Sequence, residues 1–267
     1  MNSSTPHNPP GIRMVTVDAA NLAGHPQAIC FINPKHPTFH LKRDWLLKRF
    51  EEGLKIRLLY EEGDKRPAGF IEYVPGENCW RAVDAPGYLF VHCVWVSSVK
   101  HRGKGYGSAL LQECIRESEA AGMAGVAVMT STDAFMAGHE LFLKNGFTEV
   151  AAAGRHYRLL ARQNRPGPWP AFRDWEAELR KLRGLHIIWS PQCPWVGRFV
   201  EETGKNLAGR GIQATLTEIT TPAQAQKAPS PYAVFNLVKD GRLLAGHYIS
   251  ATRLDNILRK EGLITSL

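Results

Sequence analysis

The sequence predicts a mixed α/β protein of two domains, and three observations carry that reading. Segments of β-prone residues alternate with stretches of helical periodicity along nearly the whole chain. One of those strands, Tyr88 to Val96, runs straight into a basic, glycine-dense loop, Val99 to Gly107, and then into a helix opened by Ser108. Farther on, residues 162–170 (RQNRPGPWP) hold three prolines and a glycine, the composition of a linker. A length of 267 residues suits two domains, each able to bury a core.

Taken in order, residues 1–10 (MNSSTPHNPP) read as a disordered tail, and Ile12 to Val17 alternate as a first strand. The segment Asp18 to Pro37 is irregular and punctuated by prolines. Trp45, Leu46, Phe50 and Leu54 then fall at helical spacing, with Gly53 as a C-cap. Two strands, 54–60 and 68–74, flank the polar turn EEGDKRP as a hairpin. After the strand at 88–96, the stripe Leu110, Leu111, Cys114, Ile115 and Ser118 marks a helix ending at Gly122. Val126 to Thr130 reads as a core strand, Ala137 to Asn145 as a helix stopped by Asn145-Gly146, and FTEVAAA and HYRLLAR as closing strands. Beyond the linker the expected order is a helix carrying Phe172, Trp175, Leu179 and Leu182, then strand (LHIIW), helix (Trp195 to Ala208), strand (QATLTEI), hairpin (PYAVFNLV and RLLAGHYI) and terminal helix (ATRLDNILRK).

Composition narrows the function. The chain is 44% hydrophobic and 22% charged, as in ordinary soluble proteins, and no apolar run approaches the roughly 18 residues that cross a bilayer. Five scattered cysteines suit neither a disulfide framework nor a zinc site. The N-terminus has neither the basic nor the apolar region of an export signal, so the expectation is a cytoplasmic protein with reduced thiols. A net charge of +8 invites a nucleic-acid reading, yet no block of five or six like charges occurs, and a polyphosphate ligand accounts for it as well.

A strand feeding a glycine-rich turn and a helix N-terminus is a phosphate-binding device, because glycines admit close backbone approach and convergent N–H groups meet the helix dipole. Two nucleotide readings fit poorly. Gly103-Lys104 is followed by Gly105 where a P-loop needs a hydroxyl, and Gly103-Lys104-Gly105-Tyr106-Gly107 is one residue short of the dinucleotide spacing. Arg102-Gly103-Lys104-Gly105-Tyr106-Gly107 resembles instead the Arg/Gln-x-x-Gly-x-Gly/Ala pattern of the GNAT (Gcn5-related) N-acetyltransferases. Leu141-Phe142-Leu143-Lys144-Asn145-Gly146-Phe147 resembles that family's second signature, and the resemblance spans about residues 11–161.

The resemblance implies a GNAT acyl-CoA N-acyltransferase fold and acetyl-CoA as cofactor. The pyrophosphate would lie on the N–H groups of residues 103–108, Gly103 to Ser108, beside Arg102. The pantetheine arm would pair with Val94, Trp95 and Val96, where the family's strand carries a bulge and splays from its neighbour. A backbone N–H there would stabilise the tetrahedral oxyanion. An amine must lose a proton before attack, and Glu72 and His92, in otherwise apolar strands, are the candidate bases. Against these stand a solvent-facing Glu72 and a core His92. Cys93 as an acyl carrier is disfavoured, since a buried cysteine is usually a small hydrophobe. The family often uses a Tyr as the acid, and Phe142 occupies that position here; His139 and Glu140 share its helix.

After residue 185 the order of elements resembles a reduced thioredoxin fold, with residues 187–195 (IIWSPQCPW) like a glutaredoxin nucleophile loop. The resemblance places Cys193 at a helix N-terminus, which lowers a thiol pKa, and Pro231 at the family's cis-proline position. Val196 stands where the second cysteine would be, so a dithiol cycle within this domain is excluded. The whole arrangement resembles YoaP-like acetyltransferases. The function this implies is acetyl transfer to a primary amine of a small molecule or peptide. The alternative is a thiol-dependent redox or binding protein acting through Cys193, with the GNAT domain as a CoA-binding module.

Overall fold

The computed structural model describes residues 11–132 and 136–264, so the tail expected at 1–10 lies outside the described residues. The chain divides into two compact units. Residues up to Phe31, Leu46–Cys79 and Asp84–Ala171 form the first; Ile32–Trp45, Trp80–Val83 and the chain from Phe172 form the second. Two stretches that the sequence places inside the first domain, 32–45 and 80–83, thus group with the second.

The first unit is built on a seven-stranded sheet. Its strands are β1 (Ile12–Val17), β2 (Lys55–Glu61), β3 (Gly69–Pro75), β5 (Tyr88–Val96), β6 (Gly125–Ser131), β7 (Thr148–Ala153) and β8 (Tyr157–Gln163), in the order β1-β2-β3-β5-β6-β8-β7. The short strand β4 (Val83–Asp84) precedes β5. Pairing is antiparallel except between β5 and β6, which α2 (Tyr106–Ala120) connects. A parallel pair needs such a crossover, and strands covered on both sides read as continuous apolar runs. β6 accordingly buries all seven of its residues.

One face of this sheet packs on α2, where Ile71, Tyr73, Leu89, Val91 and Val94 meet Leu110, Leu111, Cys114 and Ile115. At the far end of α2, Glu117 accepts from Tyr73 Oη (2.6 Å) and Arg57 Nη2 (2.7 Å), tying the helix to β2 and β3. Phe31 packs on Phe70 at 5.9 Å, bringing the irregular segment of single 3-10 turns (Leu22–Gly24, Pro26–Ala28) over the opposite face. Helix α1 (Phe39–Glu51) follows that segment. The short α3 (His139–Leu143) precedes β7.

The C-terminal stretch of the second unit starts at Phe172, the last residue of β9 (Ala171–Phe172), and continues into α4 (Trp175–Arg180). Its four-stranded sheet, ordered β11-β10-β12-β13, comprises β10 (Leu185–Trp189), β11 (Thr215–Glu218), β12 (Phe235–Lys239) and β13 (Arg242–Ala245). β10 is parallel to β11 across α5 (Pro194–Gly209) and antiparallel to β12. Phe199 of α5 meets Phe235 and Tyr248 edge-on at 5.5 and 5.4 Å. α6 (Pro222–Ala225) starts on a Thr221/Gln224 capping box, and α7 (Ala251–Lys260) on Ser250.

Several elements depart from the sequence reading. α2 begins at Tyr106 rather than Ser108, because Gly105 takes the left-handed conformation (φ 79°) and serves as N-cap. The helix expected at 137–145 is confined to His139–Leu143. Phe172 lies in β9, so the helix after the linker starts only at Trp175, capped by Asp174. β12 starts at Phe235 because Ala233, at φ 64°, turns the chain just before it. No peptide bond among the described residues is cis, so Pro231 is trans and the cis-proline expectation fails. No described helix is long and apolar enough to cross a membrane.

Gly125 shows how tightly β6 and β8 are drawn together: a Cβ there would lie 2.1 Å from the Arg162 carbonyl oxygen. Backbone cannot yield as a flexible side chain can. Gly125→Ala is therefore expected to destabilise the protein by about 1–3 kcal/mol, the range of core overpacking. Urea denaturation measures this, and an unchanged midpoint would refute it.

Candidate active site

The site begins where β5 leaves β6. Their parallel register runs from Tyr88↔Gly125 to Val91↔Val128 and ends there, although β5 continues to Val96 and β6 to Ser131. On its other edge β5 stays paired with β3, through Val94↔Ile71, Trp95↔Phe70 and Val96↔Gly69. The β5 backbone from 92 to 96 therefore lies along an opening between two central strands. Gly69 permits the close β3–β5 approach on the far edge, since a Cβ there would sit 2.6 Å from the Trp95 carbonyl oxygen.

A bulge causes the parting. The β3–β5 register shifts between Glu72↔Cys93 and Tyr73↔Val91, which leaves His92 as the extra residue. Side-chain parity changes across it: Leu89 and Val91 before the bulge and Val94 after it all enter the core beside α2. Glu72 and His92 lie on adjacent strands with His92 Nδ1 3.3 Å from Glu72 Oε1. Glu72 is only 1% exposed and His92 5%, so the solvent-facing alternative for Glu72 is excluded. The His92 ring also meets Phe90 at 5.9 Å. Cys93, opposite Glu72, is half-buried.

At the end of β5 the chain makes a 3-10 turn (Val99–His101) and enters the glycine loop. Gly103 and Gly105 adopt φ of 75° and 79°, a left-handed conformation that costs glycine little. The N-cap Gly105 has no side chain to accept from the first N–H groups of α2, an arrangement that suits them to an anionic ligand. Arg102 is exposed. Lys104 and Tyr106, read from the sequence as cofactor contacts, send their side chains to Glu61 at 2.8 and 2.7 Å. Those hydrogen bonds hold the Glu61 carboxyl down to about 2. Gly107 faces Leu141, and Ser108 Oγ accepts from Asn145 Nδ2 at 3.0 Å. Asn145 also accepts from Gln112 Nε2 (2.9 Å) and donates to the Leu141 carbonyl (2.7 Å), so it joins α3 to the start of α2.

Phe142 is fully buried against Phe147, with ring centroids 5.5 Å apart, and offers no proton. His139 and Glu140 are exposed and pair with each other at 3.5 Å. The structure thus brings Glu72 and His92 together beside residues 94–96 but leaves the α3 polar residues at the surface. Glu61 and Asn145 were missed as site residues. Glu61 sits in a polar turn with nothing to mark it, and Asn145-Gly146 reads first as a helix stop.

Residues 26–147 match the acetyltransferase (GNAT) family. The chain carries a GNAT acetyltransferase domain. It is similar to the uncharacterized N-acetyltransferase YoaP of Bacillus subtilis (strain 168), 27% identical over 221 residues, which is 81% of this chain and 86% of the relative. Among solved structures it is similar to YncA of Salmonella typhimurium with acetyl-CoA (19% identity, 60% of this chain and 98% of that one, TM-score 0.42). It is similar also to the PaiA N-acetyltransferase of Thermoplasma acidophilum in complex with coenzyme A (14% identity, 57% and 98%, TM-score 0.42). The GNAT domain makes the protein an acyltransferase of the N-acetyltransferase class.

Outside the GNAT match, Cys193 is the N-cap of α5, at the helix N-terminus as expected. Thr38 Oγ1 donates to the neighbouring Pro194 carbonyl at 2.8 Å, and the buried Arg81 donates to Gln192 Oε1. The expected lowering of the thiol pKa does not hold. Burial pushes the Cys193 thiol up, outweighing N–H donation from Trp195 and Val196 and the nearby charges of Lys42 and Arg81. A thiol raised in this way holds less thiolate at neutral pH than a free cysteine. Cys193 is therefore expected to react with iodoacetamide more slowly than a free cysteine at neutral pH, read by mass spectrometry of the folded protein. Faster, selective labelling would contradict this.

Proposed function

We propose that the protein is an acetyl-CoA-dependent N-acetyltransferase that passes an acetyl group to a primary amine of a small molecule or peptide by direct attack on the thioester. The observation that carries the reading is the opening between β5 and β6, which places a stretch of β5 backbone that has parted from β6 beside a buried Glu72–His92 pair. The features of the site fit acetyl-CoA as substrate. Two left-handed glycines and an uncapped helix start suit a pyrophosphate, and the free edge of residues 94–96 suits an amide-bearing arm that adds as a strand.

In this reading the N–H groups of residues 103–108 bind the pyrophosphate and Arg102 screens its charge. The Val94–Val96 backbone aligns the thioester, and an N–H of that segment receives the developing oxyanion. Glu72 and His92 act as one base: His92 takes the proton of the incoming ammonium, directly or through a water, and Glu72 stabilises the imidazolium that results. The acceptor nitrogen forms the C–N bond and releases its second proton to solvent, while the C–S bond breaks and the CoA sulfur leaves as thiolate to be protonated by solvent. Phe142 cannot supply that proton, which is why no side chain is assigned to the step. The raised Cys193 thiol gives no support to a redox role.

The test is CoA-thiol release from acetyl-CoA with a panel of amines. Wild type and Cys193→Ser are expected to release CoA alike. Glu72→Gln and His92→Gln are expected to lose about 10²–10³-fold in kcat with acetyl-CoA affinity kept, the scale of general base catalysis. Equal kcat values would remove the pair from the mechanism, and loss of activity in Cys193→Ser would restore the thiol reading.

A further inference from the structure

We infer that Glu61, the last residue of β2, is the positioning residue of the phosphate loop: its single carboxylate gathers His101, Lys104 and Tyr106, and so holds the N–H groups of residues 103–108 in a convergent array. The inference rests on reading that loop as the acetyl-CoA pyrophosphate site. Its geometry is independent of any ligand. Lys104 Nζ lies 2.8 Å from Glu61 Oε1 and Tyr106 Oη 2.7 Å from the same oxygen. His101 Nε2 lies 3.8 Å away, while its Nδ1 faces Ser97 Oγ (3.3 Å) and Ser98 Oγ (3.2 Å) at the exit of β5. Glu61 itself is paired with Ile12 of β1, so the anchor is part of the sheet.

The spacing of the three partners gives the arrangement its sense. His101 belongs to the turn after β5, Tyr106 is the first residue of α2, and Lys104 lies between Gly103 and Gly105. Glycines confer the left-handed turns the loop needs, but they also make it the most costly segment to order. Tethering the residues on either side of Gly105 to a fixed carboxylate offsets that cost before the substrate arrives, which is preorganisation in the sense that raises affinity. An exposed ion pair alone does little. Here two of the three partners are buried, Tyr106 at 7% and His101 at 5% exposure, so the carboxylate addresses an ordered surface.

The arrangement also assigns Lys104. An ammonium held against a carboxylate is neutralised, so Lys104 is a strut of the loop rather than a ligand of the phosphates. This gives the test a diagnostic sign. A carboxylate near a pyrophosphate repels it, so removing the charge would tighten binding if Glu61 had no positioning role.

The experiment measures acetyl-CoA KM, kcat and direct binding for wild type, Glu61→Gln, Glu61→Ala, Lys104→Met and the double variant Glu61→Ala/Lys104→Met, with acetyl-dephospho-CoA as a second substrate. Glu61→Ala is expected to raise the acetyl-CoA KM about tenfold with kcat within about twofold, the pattern of lost uniform binding. Glu61→Gln is expected to fall between Glu61→Ala and wild type. The fold-change should be the same without the 3′-phosphate, because the loop serves the pyrophosphate. The double variant should bind no worse than Glu61→Ala, since a strut and its anchor are one device. Additive losses, unchanged KM or tighter binding in the Glu61 variants would overturn the inference while wild-type activity leaves the proposed function standing. Failure of wild type to bind acetyl-CoA would overturn both. Where Glu61→Ala does not fold, Glu61→Gln and Lys104→Met decide by the same criteria.

Discussion

One extra residue in one strand organises the first unit. Because His92 has no counterpart on β3, the register slips, and β5 changes side-chain parity in mid-strand. A strand packed on both faces cannot absorb such a slip without consequences. One consequence is steric: β5 and β6 stay paired only as far as Val91 and Val128, which opens the sheet at its centre. The other is chemical: a histidine is set beside Glu72 in an environment from which water is excluded. Slot and buried Glu72–His92 pair therefore arise from a single irregularity, which explains why they lie side by side.

The glycine loop follows from the same strand. Leaving the sheet at Val96, the chain has ten residues in which to turn and start α2 at Tyr106. Left-handed glycines make the turn possible, and Glu61 makes it definite. The helix dipole and the first N–H groups then point to a position that suits anions. Sheet irregularity, loop tether and helix start form a continuous backbone track from residue 92 to residue 108. That continuity favours a long ligand with an amide-bearing arm and a phosphate end over a compact nucleotide.

Much of this was legible in the sequence where the signal is local. Nine consecutive β-prone residues gave Tyr88 to Val96 the limits the structure shows, and the last helix, Ala251–Lys260, was read to the residue. The glycine spacing disfavoured nucleotides because it depends on backbone conformation alone. What escaped depends on contacts distant in sequence. Glu61 looks like any turn acid until the sheet brings it to Lys104, 43 residues on. The burial of Glu72 follows from cover on both faces of the sheet, which the sequence of one strand does not reveal. The same holds for stretches 32–45 and 80–83, whose grouping with the second unit has no local mark. Cys193 shows a competition of effects: the sequence exposes the helix N-terminus that lowers a thiol pKa but not the burial that raises it more. Pro231 is trans, and the turn before β12 is made at Ala233 instead.

The proposed function requires the backbone of residues 94–96 and 103–108 to form one substrate track. Amide hydrogen exchange with and without acetyl-CoA tests it most directly, because it reads the N–H groups themselves and needs no acceptor. Acetyl-CoA is expected to slow exchange in peptides covering both stretches together, and Cys193→Ser to show the same protection. Protection confined to the second unit, or none in either stretch at saturating acetyl-CoA, would contradict it.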